Sequence, residues 1–96
     1  MTIEYHPAAS GELNQAARYY EQQSAGLGHE FLNEFEFCVR QISDMPTRWM
    51  MVEHDVQRAL MKRFPFRIYF RSLDDRLRIT VVKHVKRHPN YGRSRR

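Results

Sequence analysis

The chain has 96 residues, 42% of them hydrophobic, with one cysteine and a formal charge of +5. That length suits a single domain, 1–96, with one core. Lone Cys38 excludes an internal disulfide, and no apolar run approaches the roughly 20 residues of a membrane span.

The sequence opens Met-Thr-Ile-Glu-Tyr-His-Pro, without the apolar stretch of a secretory leader, so a cytoplasmic protein is expected. Charge is unevenly divided. Residues 1–55 hold three basic and nine acidic side chains, a balance of −6; residues 56–96 hold thirteen basic and two acidic ones, a balance of +11. A basic half of this strength attracts phosphates or an acidic partner.

In chain order, Thr2 to His6 alternates Ile3 and Tyr5 with polar residues, a short strand ended by Pro7. Ser10 is suited to cap a helix, with Glu12 in its first turn. Leu13, Ala16, Ala17 and Tyr20 fall at helical spacing, and this helix is expected to run to about Gln23. Gly26 and Gly28 break it. A second helix is expected from His29 to about Asp44, with Phe31, Phe35, Cys38, Ile42 and Met45 on one stripe and Pro46 at its end. Thr47 to Asp55 has no decisive pattern, though Trp49 is a candidate anchor.

From Val56 the spacing changes. Phe66, Ile68 and Phe70 share one face and Arg67, Tyr69 and Arg71 the other. Leu73-Asp74-Asp75 makes a turn, and Leu77, Ile79 and Val81 return as the core side of a hairpin, opposite Arg78, Thr80 and Val82. Residues 92–96 are expected as a mobile basic tail. The fold class is α+β: a short N-terminal strand and a two-helix hairpin packed on one face of an antiparallel sheet. Leu13, Ala17, Phe31, Phe35, Ile42, Ile68, Phe70, Ile79 and Val81 are the expected core.

This order carries several short motifs. Ala16-Ala17-Arg18-Tyr19-Tyr20-Glu21 precedes Gly26-Leu27-Gly28 and Phe31 in the helical hairpin. Pro46 follows, then the block Arg63-Phe64-Pro65-Phe66-Arg67-Ile68-Tyr69-Phe70, then His84-x-x-Arg87-x-Pro89-x-Tyr91. In order and spacing the whole resembles the RelE/ParE superfamily of toxins from bacterial type II toxin–antitoxin modules. The resemblance implies a toxin that arrests growth unless bound by a cognate antitoxin. It leaves the target open between mRNA in the ribosome, cleaved by RelE-like members, and DNA gyrase, inhibited by ParE-like members. An inactive homologue retained for antitoxin binding is a third reading.

The resemblance also directs attention to particular residues. An arginine stands at the position of Arg67 in RelE-like members, and Arg87 and Tyr91 correspond to a C-terminal basic–tyrosine cluster. The lysine pair those members carry on an earlier strand has no counterpart in register, although Arg58 and Lys62 lie nearby. RNA cleavage by 2′-OH attack needs an acid, a base and cations on the phosphate. Arg67, Arg87, His84 and Tyr91 are the catalytic candidates, with Arg67 and His84 expected on the same outer face. Arg58, Lys62, Arg63, Arg71, Arg78 and Lys86 are the candidates for holding nucleic acid or target.

Each has a simpler reading. The arginines can be solvated or antitoxin contacts, His84 structural, and Tyr91 packing. His84-x3-His88 lies at a strand end with no third ligand, so no metal is expected. Cys38 lies on an apolar stripe and reads as core. No glycine-rich phosphate loop follows a strand, and no cofactor is expected.

Overall fold

The computed structural model describes all residues from Met1 to Arg96, and its backbone changes from helix to sheet between Asp44 and Met50, ahead of the change of spacing at Val56. The elements are β1 (Thr2–Tyr5), α1 (Pro7–Gln23), α2 (Leu27–Asp44), a 3-10 turn (Pro46–Arg48), β2 (Met50–Glu53), β3 (Val56–Leu60), β4 (Phe66–Leu73) and β5 (Arg76–His84). The strands form one sheet in the order β1-β5-β4-β3-β2. β2 to β5 run antiparallel, and β1 enters beside β5 in parallel, so the α+β fold has a mixed sheet.

Helix α1 begins three residues before the expected cap. Pro7 occupies its first turn, where a missing N–H costs nothing, and His6 Nδ1 accepts the Ala8 N–H at 3.0 Å. Ser10 and Glu12 therefore lie inside the helix, which frees Glu12 for a different partner. The hairpin turn explains the Glu21 and Gly26-Leu27-Gly28 motif. Gly26 has φ 87°, and the Glu21 carboxylate accepts the N–H groups of Gly26 at 2.9 Å and Gly28 at 3.0 Å. These satisfy free donors at the start of α2, which opens at Leu27 and not His29. A side chain at Gly28 would run into the Ala17 carbonyl, so the close approach of the two helices there requires glycine.

The core lies between the helices and one face of the sheet. Phe31, Phe35, Cys38 and Ile42 meet Ala9 and Ala16 above Ile68, Phe70, Leu77, Ile79 and Val82. Leu13 and Ala17, expected inside, are half-buried at its border, while Met61 and Phe64 join it. Burial pushes the Cys38 thiol up to about 11, which keeps it protonated and inert. The undecided Thr47–Asp55 stretch resolves into the 3-10 turn and β2. There Gln57 Nε2 donates to the carbonyls of Pro46 at 2.6 Å and Trp49 at 3.2 Å.

One irregularity changes the reading of the basic half. Tyr69 pairs with Val81 but Phe70 pairs with Ile79, so Thr80 is an extra residue in β5. A bulge of one residue reverses every later side chain. Leu77 and Ile79 face the helices, and so do Val82 and His84; Val81 and Lys83 face the other way. Val81 is buried, but on the opposite side from its expected neighbours. Arg67 pairs with Lys83 and Phe66 with His84, so Arg67 and His84 lie on opposite faces of the sheet. The shared outer face expected for them does not exist.

Candidate functional site

The face of the sheet away from the helices carries Leu60, Arg67 and Lys83 in one row and Arg58, Tyr69 and Val81 in the next. The chain after β5 folds back over this face. Three features hold it. Lys83 is 5% exposed, and its Nζ donates to the carbonyls of His88 at 3.3 Å and of Pro89 and Tyr91 at 3.0 Å each. Gly92, at φ 74°, sits so close to Val81 that a side chain there would strike its methyl groups.

The third feature is Glu12. Its carboxylate accepts the Val82 N–H beside the bulge at 3.0 Å, the Tyr91 hydroxyl, and both Arg95 Nη1 at 2.9 Å and Nη2 at 2.8 Å. Burial pushes the Glu12 carboxyl up, but the hydrogen bonds from Arg95, Tyr91 and Val82 outweigh it, and it titrates below the usual carboxylate range. Residues 92–96, expected as a mobile tail, thus lie against the sheet. Arg93 pairs with Glu53 at 3.2 Å and Arg96 with Asp55 at 3.1 Å.

The returning segment creates two recesses. A cleft of about 270 Å³ opens on the helix-free face, lined by Arg58, Arg67, Tyr69, Arg87 and Arg93 among others. A wider pocket of about 440 Å³ lies on the helix side, between α1 and the end of β5, walled by Tyr19, Tyr20, Phe66, His84, Arg87 and Tyr91. Arg87 and Tyr91 form the partition between them, the guanidinium 4.0 Å from the ring centroid, a cation–π distance.

The four catalytic candidates are thereby divided. Arg67 lines the cleft and Arg87 its rim. His84 belongs to the helix-side pocket, and its Nδ1 accepts the Lys86 N–H at 3.0 Å. The Tyr91 hydroxyl is occupied by Glu12. Of the binding candidates, only Arg58 shares the cleft with Arg67. Lys62 and Arg63 sit between β3 and β4, where Arg63 pairs with Glu30 at 2.6 Å and its N–H meets Glu34 at 2.8 Å. Arg71 is held by Asp55 at 2.8 Å, and Arg78 lies 3.7 Å from Glu4; Lys86 is exposed beyond β5. Arg58, Arg67 and Arg87 form no ion pair, while every other arginine of the basic half does. The alternation pattern led to Arg67 but missed Lys83 and Arg95, which line the cleft, and Glu12, which holds Arg95 from the helix side.

No family model matches the chain, and no curated protein matches it at a significant level. Among solved structures, it is similar to a chain of "Chromosomal ParDE TA system from P. aeruginosa". The TM-score is 0.61, over 88% of this chain and 95% of that chain, at 16% sequence identity. The chain therefore has a fold found in a ParDE toxin–antitoxin system, and that is the fold its motifs imply. No helix is long and apolar enough to cross a membrane.

Proposed function

We propose that this chain is the toxin component of a type II toxin–antitoxin module, held inactive by a cognate antitoxin, and that it arrests growth by binding its target through the Arg58–Arg67–Arg87 cleft. The observation that carries this reading is three arginines without carboxylate partners lining one cleft. Such a cleft attracts an acidic surface or a phosphate backbone. The fold likeness to a ParDE system supports the module.

Binding is favoured over RNA cleavage by where the titratable groups stand. Cleavage needs a base and an acid beside the cations. His84 faces the helices across the sheet from Arg67, and the Tyr91 hydroxyl donates a hydrogen bond to the Glu12 carboxylate. The cleft's carboxylate, Glu53, is paired with Arg93 at 3.2 Å, and its phenol, Tyr69, lies beside the Lys83 ammonium, so the unpaired charges there are the arginines, suited to docking. Among the targets that the resemblance offers, this favours DNA gyrase over mRNA on the ribosome.

The test is inducible expression without antitoxin, with growth, mRNA integrity and DNA supercoiling followed together. The double variant Arg67→Ala, Arg87→Ala is expected to stay folded by circular dichroism and to lose toxicity. An interface arginine of this kind contributes about 2 kcal/mol, roughly thirtyfold in affinity, and two of them more. Arg67→Lys restores only part, because lysine lacks the planar two-point contact. Rapid loss of transcripts before any change in supercoiling would replace this reading with mRNA cleavage. A folded double variant as toxic as the parent would remove the cleft from function.

A further inference from the structure

The helix-side pocket is not explained by the cleft's role. Its walls are aromatic: Tyr20 meets Phe66 edge-on with centroids 6.1 Å apart, Phe66 meets His84 at 5.4 Å, and Tyr19 leans on Tyr20 at 5.4 Å. Tyr19 nevertheless remains 56% exposed, an aromatic wall with one side open.

Two polar groups at its mouth, His84 and Arg87, favour an anion. His84 Nδ1 already accepts a backbone N–H, so the neutral ring carries its proton on Nε2 and acts as a donor. Arg87 stands on the rim without a carboxylate. Glu12, the one acidic side chain in the wall, is neutralised by Arg95 and repels little. A shallower depression continues from the pocket along α1, sharing Glu12, Gln15, Tyr19 and Tyr91 with it and reaching Arg18, which also has no ion pair. An aromatic hollow set in a groove between two cations fits an extended chain better than a compact ligand.

We propose that this groove docks an acidic peptide segment that inserts one aromatic side chain among Tyr19, Tyr20, Phe66 and His84, with carboxylates before and after it on Arg18 and Arg87. Ring edges and faces supply the anchor, and the cations set sign and direction. The inference rests on the toxin reading only in taking the segment to belong to the antitoxin.

The probe is a fluorescein-labelled peptide, Glu-Asp-Phe-Asp-Glu, titrated into the full chain and followed by polarisation. Saturable binding is expected, about tenfold weaker when the peptide phenylalanine is alanine, and weaker by a similar factor for Tyr19→Ala, whose ring is on the surface. Gln15→Trp, which fills the hollow from an exposed helix position, abolishes the preference for phenylalanine without touching the cleft. Arg18→Ala and Arg87→Ala flatten the salt dependence. Equal binding of the phenylalanine and alanine peptides overturns the proposal, as does displacement of the peptide by adenosine monophosphate at lower concentration than by unlabelled peptide. A chain that binds the peptide but never arrests growth would sink the toxin reading alone. One that arrests growth but ignores the peptide would sink the pocket alone.

Discussion

Glu12→Ala is expected to be the most damaging single change outside the apolar core. The carboxylate is 12% exposed and its main partner, Arg95, 15% exposed. Truncation leaves the guanidinium with only the Thr80 carbonyl at 3.2 Å, strands the Val82 N–H beside the bulge, and releases Tyr91. Breaking a fully buried ion pair costs about 3–5 kcal/mol. Water still reaches this one, and Arg95 can swing outward near the end of the chain, so about 2–3 kcal/mol is expected. For a domain of this size that is a fall of about 10–20 °C in thermal midpoint. Urea denaturation followed by circular dichroism gives the free energy. A cycle with Arg95→Ala isolates the pair, with coupling of more than about 1 kcal/mol expected. A midpoint lowered by less than about 3 °C, or strictly additive losses, would refute the clamp.

The same carboxyl predicts a pH dependence. Its folded pKa is depressed, so its contribution is fully present above the unfolded value of about 4.3 and is lost as pH falls through the folded value. The gap between parent and Glu12→Ala should be constant near neutrality and narrow only in acid; a gap closing between pH 8 and 6 would contradict this. Phe35→Ala, at a side chain 1% exposed, is expected to cost about 3–5 kcal/mol in chemical denaturation, and an unchanged midpoint would remove it from the core. Gly28→Ala places a methyl group against the Ala17 carbonyl and 3.1 Å from Glu21 Oε1, so it should destabilise by about 1–3 kcal/mol despite alanine's better helix propensity; a more stable variant would show that the hairpin can open there at no cost.

What the sequence disclosed follows from how local each signal is. The stripe of Phe31, Phe35, Cys38 and Ile42 is read directly because one helix face meets one core. The alternation of Phe66 to Arg71 survives intact because β4 is regular. The bulge at Thr80 was hidden by Val81 and Val82, which are apolar on both sides and fit either register. The only trace was that Val82 spoiled the polar face. Ser10 was mistaken for the cap because an imidazole is a less familiar one, and Pro7 served equally well as a strand stop and a helix start. Glu12 and Arg95 are 83 residues apart, so no spacing rule joins them. Arg67 and Arg87 were visible by alternation and resemblance, whereas the separation of His84 from Arg67 depended wholly on the bulge.

That single extra residue also decides where the two oppositely charged halves of the chain meet. Because β5 reverses at Thr80, Lys83 points to the helix-free face, where three carbonyls of the returning chain satisfy it; without the reversal it would point into the helices, with no such acceptors. The same reversal sets the Val82 N–H where a carboxylate from α1 can reach it. Glu12 then gathers Tyr91 and Arg95, and the acidic half of the chain holds the basic end. Arg93 and Arg96 follow onto Glu53 and Asp55, so the C-terminal positive charge is spent inside the molecule. The arginines that stay free are the three on the sheet and at the partition, Arg58, Arg67 and Arg87. The +11 half therefore gathers three of its five unpaired cations at one cleft, with Lys62 and Lys86 exposed away from it. On this argument Lys83→Met, which removes the donor to the carbonyls of His88, Pro89 and Tyr91, should loosen the returning segment and speed amide exchange over residues 88–92 by about tenfold or more. Hydrogen exchange followed by mass spectrometry would show it, and identical exchange of that segment in parent and variant would refute it.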